Sequence, residues 1–491
     1  MARKCFTQYS EAASIGAKRW LVILLMLVGC LFLAPSALAQ QSGLNSPSLV
    51  YMEYAQPSSR VEPFKLNNFP KWATLDMQLR AREENQSSDG YVSGNDAVYV
   101  LTRIWGGLEL RPTKHFLAYI QFVDAHALGL PLHYVAANQR DVFDDRQAFL
   151  EFHTKDVKVI AGRQELRYGN ERLVGISNWT NTSRTWDGFL GRIGDKNRLD
   201  LFSTSVVAIH ASSLDKHGAG MNFHGAVGTI TTWVPHTVIQ PFVYIKALPL
   251  VKGLSSPITS GTETEVTPGA EVSGKYLGGI YFDVLGAIQR GSYANDSISA
   301  SAGIVKAGYS AEKIGWKPRL AGEYDYASGN PNKTSATTAT TTRIGTFDQL
   351  YPSNHNAFGL TDLFGFENIK QERINLDMAP SKHLALTFQQ EWMQVATIYD
   401  SVYTGSASAK ITPAAAGFKS DDIGKEFDAS GQYAFLRNNL TLNFGVGHFS
   451  PGTLMQTSAS AAAGKNYGSP LTLAYFGLTY KFKVNGKDSA H

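Results

Sequence analysis

The feature that most constrains this chain is a period of two. In 72–82, Asp76, Gln78, Arg80 and Arg82 share one face, and Leu75, Met77, Leu79 and Ala81 share the other. Successive side chains of a strand point to opposite sides, so this segment reads as a strand with one polar and one apolar face. In 98–111, Arg103, Glu109 and Arg111 oppose Val100, Ile104, Leu108 and Leu110; Arg198 and Asp200 oppose Leu199 and Leu201. Gln371, Arg373, Asn375 and Asp377 oppose Ile374, Leu376 and Met378; Thr387, Gln389 and Glu391 oppose Leu384, Leu386 and Phe388. Many segments run ~10–12 residues, the length a tilted strand needs to cross a bilayer. Strands of soluble sandwiches are shorter, usually about 5–6 residues.

The connections alternate in length. Long or medium ones fall at 84–96, 126–145, 165–183, 210–217, 249–264, 290–297, 327–366, 393–421 and 450–469. Brief ones lie between them, among them 111–114, Lys155-Asp156, 194–197, 235–237, 276–279 and 379–381. Counting the segments gives eighteen strands, an even number, with the last ending near Phe482. Short turns on one side and long loops on the other are how outer-membrane barrels are built. Lipid cannot hydrogen-bond a free backbone, so such a sheet must close on itself. The expected fold is therefore all-β: a transmembrane antiparallel up-and-down barrel over 72–482, closed by its first and last strands. Aromatics recur at strand ends, as an interfacial girdle requires: Trp72, Trp105, Phe116, Trp186, Trp233, Tyr276, Trp316, Trp392, Tyr480 and Phe482. Phe482 or Tyr480 is the aromatic that the outer-membrane insertion machinery would read, and 483–491 is then a tail.

The start of the chain reads as an address. Arg3, Lys4, Lys18 and Arg19 precede an apolar run, 20–33, and Ala37-Leu38-Ala39, which is the order of a secretory signal peptide. Leu27-Val28-Gly29-Cys30 also resembles a lipoprotein cleavage site, but Leu31-Phe32-Leu33 would then begin an apolar mature terminus. Cleavage after Ala39 removes both cysteines, Cys5 and Cys30, so no disulfide scaffold is expected. It also removes four basic residues and one acid, so the formal charge of +4 falls to +1. That balance gives no basis for binding nucleic acid. Residues 40–71, rich in Ser, Asn and Pro, read as a periplasmic lead or plug. Charged residues make up 18% of the chain, as expected of a wall half-facing hydrocarbon.

Residues 161–189 read A-G-R-Q-E-L-R-Y-G-N-E-R-L-V-G-I-S-N-W-T-N-T-S-R-T-W-D-G-F. This stretch strongly resembles the signature of the alginate-export family of outer-membrane barrels. Further resemblance lies in Tyr324–Asn330, in Thr346-Phe347-Asp348, in Leu350-Tyr351-Pro352-Ser353 with His355, Gly359 and Asp362, and in G-V-G-H-F-S-P-G at 445–452. The resemblance spans most of 72–482. It implies an eighteen-stranded barrel in the Gram-negative outer membrane that passes sugar acids or other solutes.

Two arrangements fit the long connection 164–184, which carries Arg163, Arg167, Arg172 and Arg184 with Glu165, Glu171 and Asp187. It folds inward and its arginines meet anionic solute through guanidinium forks, or these arginines brace the loop by internal ion pairs. Trp179 either shapes the turn or stacks on a sugar ring. Strand parity nominates nine inward cations: Arg80, Arg82, Arg103, Arg111, Arg163, Arg198, Lys275, Arg319 and Arg373. It nominates ten inward acids: Asp76, Glu109, Glu151, Asp200, Asp283, Glu323, Asp325, Asp377, Glu391 and Glu426. Nine against ten reads as cross-strand pairing, whereas a polyanion carrier calls for a positive lumen. The expected selectivity residues are Arg80, Arg103, Arg163, Arg167, Arg172, Arg184, Asp187, Arg319 and Arg373.

No H-E-x-x-H, P-loop, C-x-x-C or G-x-S-x-G occurs, so neither catalysis nor a cofactor is expected. His210, His217 and His224 are seven apart, a spacing that does not bring them together for a metal. The run 334–342 reads as a loop tip. The expected function is a monomeric passive channel for a hydrophilic, anionic solute. A barrel enzyme acting on lipid or glycan, and a plugged structural or adhesive barrel, are the alternatives.

Overall fold

The computed structural model describes residues 64–486 except 67–68, 92, 253–259, 277, 332–342, 356, 415, 436–438 and 461–464. The leader with both cysteines, most of 40–71, the 334–342 run and residues 487–491 lie outside the described residues. Eighteen strands follow one another: β1 Ala73–Ser87, β2 Ala97–Thr113, β3 Phe116–Leu128, β4 Asp141–His153, β5 Val157–Gln164 and β6 Trp186–Gly194. Then come β7 Arg198–Ala208, β8 Lys216–Thr229, β9 Thr237–Lys252, β10 Ser260–Lys275, β11 Ile280–Tyr293 and β12 Asp296–Ser310. The last six are β13 Arg319–Ala327, β14 Ile369–Met378, β15 Leu384–Val395, β16 Asp422–Phe435, β17 Leu440–Pro451 and β18 Leu471–Gly486.

Each strand pairs antiparallel with its neighbours, and β1 pairs with β18 from Thr74↔Asn485 to Ser87↔Thr472. That last ladder closes the barrel and leaves no spanning edge unpaired. Beyond Tyr480, where β17 ends its pairing, the strand Phe64–Leu66 runs parallel to β18 and covers its edge.

The alternation sets the faces as the period demands. Leu79, Ile104, Leu199, Leu201 and Ile374 point outward and are exposed. Arg82, Arg103, Asp200, Gln371, Arg373 and Glu391 point inward and are buried. Of the girdle aromatics, Trp72, Phe116, Trp233, Tyr276, Trp316 and Trp392 are exposed. Trp105 and Trp186 are not girdle residues: they are buried, and the Arg103 and Arg146 guanidinium carbons lie 3.7 and 3.8 Å from the Trp105 ring.

The medium connection expected at 290–297 is a two-residue turn. Strands β11 and β12 stay paired to Tyr293↔Asp296, with Ala294 at φ 51° in the turn. Two other connections on that side are long and turn inward, 165–185 and 328–368. Their apolar residues form a core inside the barrel: Leu166, Val174, Ile176, Phe347, Phe358, Phe364 and Phe366 are all 1% exposed or less. Each such burial contributes roughly 1.5–3 kcal/mol, which offsets the entropy of ordering long loops.

Candidate functional site

The inward loop 165–185 is held at both ends and at its tip. At its base, Arg163 on β5 and Asp187 on β6 are cross-strand partners and meet in a fork, Nε–Oδ1 2.9 Å and Nη2–Oδ2 3.2 Å. Arg146 on β4 donates to Glu165, and Arg167 donates to the same carboxylate at 3.0–3.1 Å. Burial alone would raise that acid, but Arg146 and Arg167 hold the Glu165 carboxyl at about 2. Further on, Arg172 crosses to β13, donating to Glu323 at 2.9 Å and to Asp325. Arg373 on β14 shares Glu323 at 2.5 Å and approaches Glu391 at 3.7 Å.

The second inward loop lies against the first. Val174 and Tyr351 form a parallel bridge, and Ser353 donates to the Glu171 carboxylate at 2.7 Å. Arg184 staples the two together, its Nη1 donating to the carbonyls of Gly175, Tyr351 and Pro352 at 2.9, 2.7 and 3.0 Å. Burial brings its guanidinium down to about 10. Arg163, Arg172, Arg184, Arg373 and Asp187 therefore take part in internal pairing. Arg319 lies at the far end of β13, with its guanidinium carbon 4.7 Å from the Tyr281 ring.

The loop tip meets the wall at β1 and β2. Arg80 on β1 donates to the carbonyls of Asn178 and Thr180, both at 2.9 Å. Arg103 on β2 donates to the same two carbonyls at 3.2 and 3.1 Å, and to Gln78. Arg82 donates to the Trp179 carbonyl at 2.8 Å. Arg80 and Arg103 are directly opposite cross-strand partners, an arrangement that like charges ordinarily disfavour. The shared carbonyls supply the compensating negative potential. Trp179 is covered on both faces, by the Arg82 guanidinium at 3.5 Å and the His355 ring stacked at 3.6 Å. Its ring is not open to stack on a sugar.

Beside this tip is a cavity of about 150 Å³. Arg80, Arg82, Arg103, Arg167 and Lys481 line it with the neutral Gln78, Gln432, Thr441, Asn443 and Thr479, and Glu171 is its one acidic lining residue. Lys481 and Arg146 stand outside the expected site. Residues 478–483 alternate as the earlier segments do, and that alternation puts Lys481 on the inward face with Thr479. Arg146 lies in a disturbed stretch: the β3–β4 ladder shifts register between Asp141 and Asp144 and again at Arg146 itself, between Asp145 and Gln147, with Phe143 at φ 44°.

Among the described residues, three carboxylate groups are close enough to hold a cation: Asp141, Asp144 and Asp215; Glu263, Glu265 and Asp348; and Glu391, Glu426 and Asp428. His224 instead meets Ser203 across adjacent strands, Nδ1 to Oγ 2.9 Å, on the outer wall.

The family model for alginate export matches residues 71–468. No curated protein matches the chain. Solved structures match at low identity. Pseudomonas aeruginosa OccK11 (OpdR) is 12% identical with a TM-score of 0.53, covering 86% of this chain and 98% of its own. Acinetobacter baumannii OccAB2 is 10% identical with a TM-score of 0.57, covering 85% and 100%. Pseudomonas aeruginosa OpdK, solved with vanillate, is 11% identical with a TM-score of 0.55, covering 85% and 100%. These likenesses speak for the fold.

Proposed function

This chain belongs to the alginate export family of outer-membrane barrels, and from that premise we propose that it passes small anionic, hydrophilic solutes, sugar acids foremost. It is an outer-membrane channel rather than an enzyme. One observation carries the anionic reading: the cavity lining has five basic side chains and a single acid. In a confined space walled by protein, such a field raises the local concentration of anions and excludes cations. The Arg80, Arg82 and Arg103 guanidiniums are already oriented by loop carbonyls, Arg82 also by Glu84, and Arg167 by Glu165, so little side-chain entropy is lost when a carboxylate arrives.

The cavity's size bears on the cargo. About 150 Å³ is below the ~300 Å³ of typical drug-sized pockets, so it accommodates one small unit at a time. Arg80, Arg82, Arg103, Arg167 and Lys481 are the residues on which we place selectivity. Arg163, Arg172, Arg184, Asp187 and Arg373 hold the loops that shape it. Vanillate, named with the neighbour OpdK, is a carboxylate, which accords with this reading. The channel acts as a monomer, and transport is passive because the chain has no nucleotide-binding motif.

Liposome swelling tests the proposal. Proteoliposomes are challenged with a uronate, its neutral parent sugar and the corresponding amino sugar, all of similar size. The uronate is expected to enter fastest, and Arg80→Gln with Arg103→Gln is expected to remove that advantage. Equal entry of all three, or fastest entry of the amino sugar, overturns it.

A further inference from the structure

Behind the inward loops, the inner wall carries two rows of facing residues. In one row, Arg373, Glu391 and Glu426 are successive cross-strand partners on β14, β15 and β16. In the next row inward-facing along the same strands, Asn375, Gln389, Asp428 and Gly447 are successive partners on β14 to β17. Directly opposed residues have Cβ atoms about 4.5–5.5 Å apart, so these side chains converge. Glu391, Glu426 and Asp428 place carboxylate oxygens within 4.8 Å of one another, and each is at most 1% exposed.

The polar inventory is one-sided. Both carboxylate oxygens of Glu391, Oδ1 of Asp428, Oε1 of Gln389 and Oδ1 of Asn375 are buried without a hydrogen-bond donor. The two amides lie outside the carboxylate cluster and are themselves 3% and 5% exposed. Turning an amide around would serve one carboxylate oxygen and leave the charge untouched. The ion-pair network that reaches Glu391 joins Arg172, Arg373 and Lys306 to Glu323, Asp325 and Glu391. Among the described residues, adding Glu426 and Asp428 gives five acids against three bases, an excess of two negative charges when all are ionised. Buried charge without compensation is costly.

The wall is closely packed at this point. A Cβ on Gly447 would lie 2.7 Å from the donorless Asp428 Oδ1, 3.1 Å from Glu426 Oε1 and 3.1 Å from Leu360 Cβ. Glycine at this position lets the two carboxylates lie against β17.

We propose that Glu391, Glu426, Asp428 and Gln389 bind one calcium ion. Oxygen donors alone select a hard cation, and carboxylate oxygens spread over 4.8 Å suit calcium–oxygen distances of about 2.3–2.6 Å. Magnesium demands a tighter octahedron and retains waters. A divalent ion cancels the excess of two charges. It also ties the second inward loop to the wall, because Asp428 accepts from Leu360 N at 2.9 Å and Glu426 from Thr361 N and Oγ1 at 2.8 and 2.6 Å.

The test uses the full folded barrel in detergent. Calcium content is measured by mass spectrometry after dialysis, and thermal unfolding is followed after refolding with calcium or with EGTA. Wild type is expected to hold one more calcium per chain than Glu391→Gln or Asp428→Asn, and calcium is expected to raise the unfolding midpoint of wild type only. Gly447→Ala, whose Cβ would press on Asp428 Oδ1 and Glu426 Oε1 without removing a carboxylate, should lose the same equivalent. If the carboxyl variants fail to fold, the wild-type calcium response and Gly447→Ala decide. A folded wild type with no such equivalent and a calcium-insensitive midpoint means the carboxylates share protons, and overturns the proposal.

Discussion

The two halves of the lumen obey the same strand parity and yet face different surroundings. On the half formed by β18, β1 and β2, Lys481, Arg80, Arg82 and Arg103 line the cavity. On the half formed by β10 to β16, Glu265, Asp283, Glu323, Asp325, Glu391, Glu426 and Asp428 are 5% exposed or less. The loops 165–185 and 328–368 make the difference. They lie over the acidic half, pairing its charges through Arg172 and hydrogen-bonding them through Leu360 and Thr361. Only their tip reaches the basic half. Under the proposed function, a wall that is balanced residue by residue presents one sign to solute, and what the loops cover decides which sign.

Breaking the covered half should cost most. Arg172→Ala leaves Glu323 and Asp325 short of a buried counterion, and removing one partner of such a pair costs about 3–5 kcal/mol. The expected result is a lower unfolding midpoint and a larger, noisier conductance, with ion preference nearly unchanged. A loss of preference without a loss of stability would dissolve the division between the halves. Arg184→Met strands the Gly175 and Pro352 carbonyls at the junction of the loops, the Tyr351 carbonyl keeping Gly175 N at 2.8 Å, at about 1–3 kcal/mol. Single-channel recordings should show it as added gating with the open-state selectivity intact.

Changes on the open half should do the reverse. Arg80→Gln with Arg103→Gln is expected to lower anion-over-cation permeability roughly tenfold, equivalent to about 1.4 kcal/mol, while relieving a like-charged pair. The smallest effect is a matter of pH. The folded Glu165 carboxyl sits at about 2, below its ordinary 4.5, so it contributes stability above pH 4.5 that is lost as pH falls toward 2. Unfolding midpoints of Glu165→Gln should therefore fall less steeply than wild type over that acid range.

Much of the barrel was legible because strand parity is a local property. Arg103 against Ile104, or Arg373 against Ile374, states its face without knowledge of any partner. The eighteen strands and their closure follow from the same pattern and the rhythm of connections. The site was less legible because it depends on two loops meeting from 182 residues apart, as Glu171 and Ser353 do. Nothing local distinguishes Arg172, sunk in a carboxylate network, from Arg167, whose side chain is 43% exposed. The same holds for Trp186, whose position at a strand end resembles the girdle but whose ring is buried, and Trp105 lies at the middle of β2 rather than at an end. Arg146 was hidden by a register shift that breaks the alternation around it.

The central claim is that the open half of the lumen sets the sign of what passes. The most direct measurement is the zero-current potential of the wild-type channel in a planar bilayer under a potassium chloride gradient. The account predicts a reversal potential displaced toward the chloride equilibrium value, and a smaller displacement once Arg80 and Arg103 are replaced. A reversal potential on the potassium side, unmoved by those replacements, would contradict it.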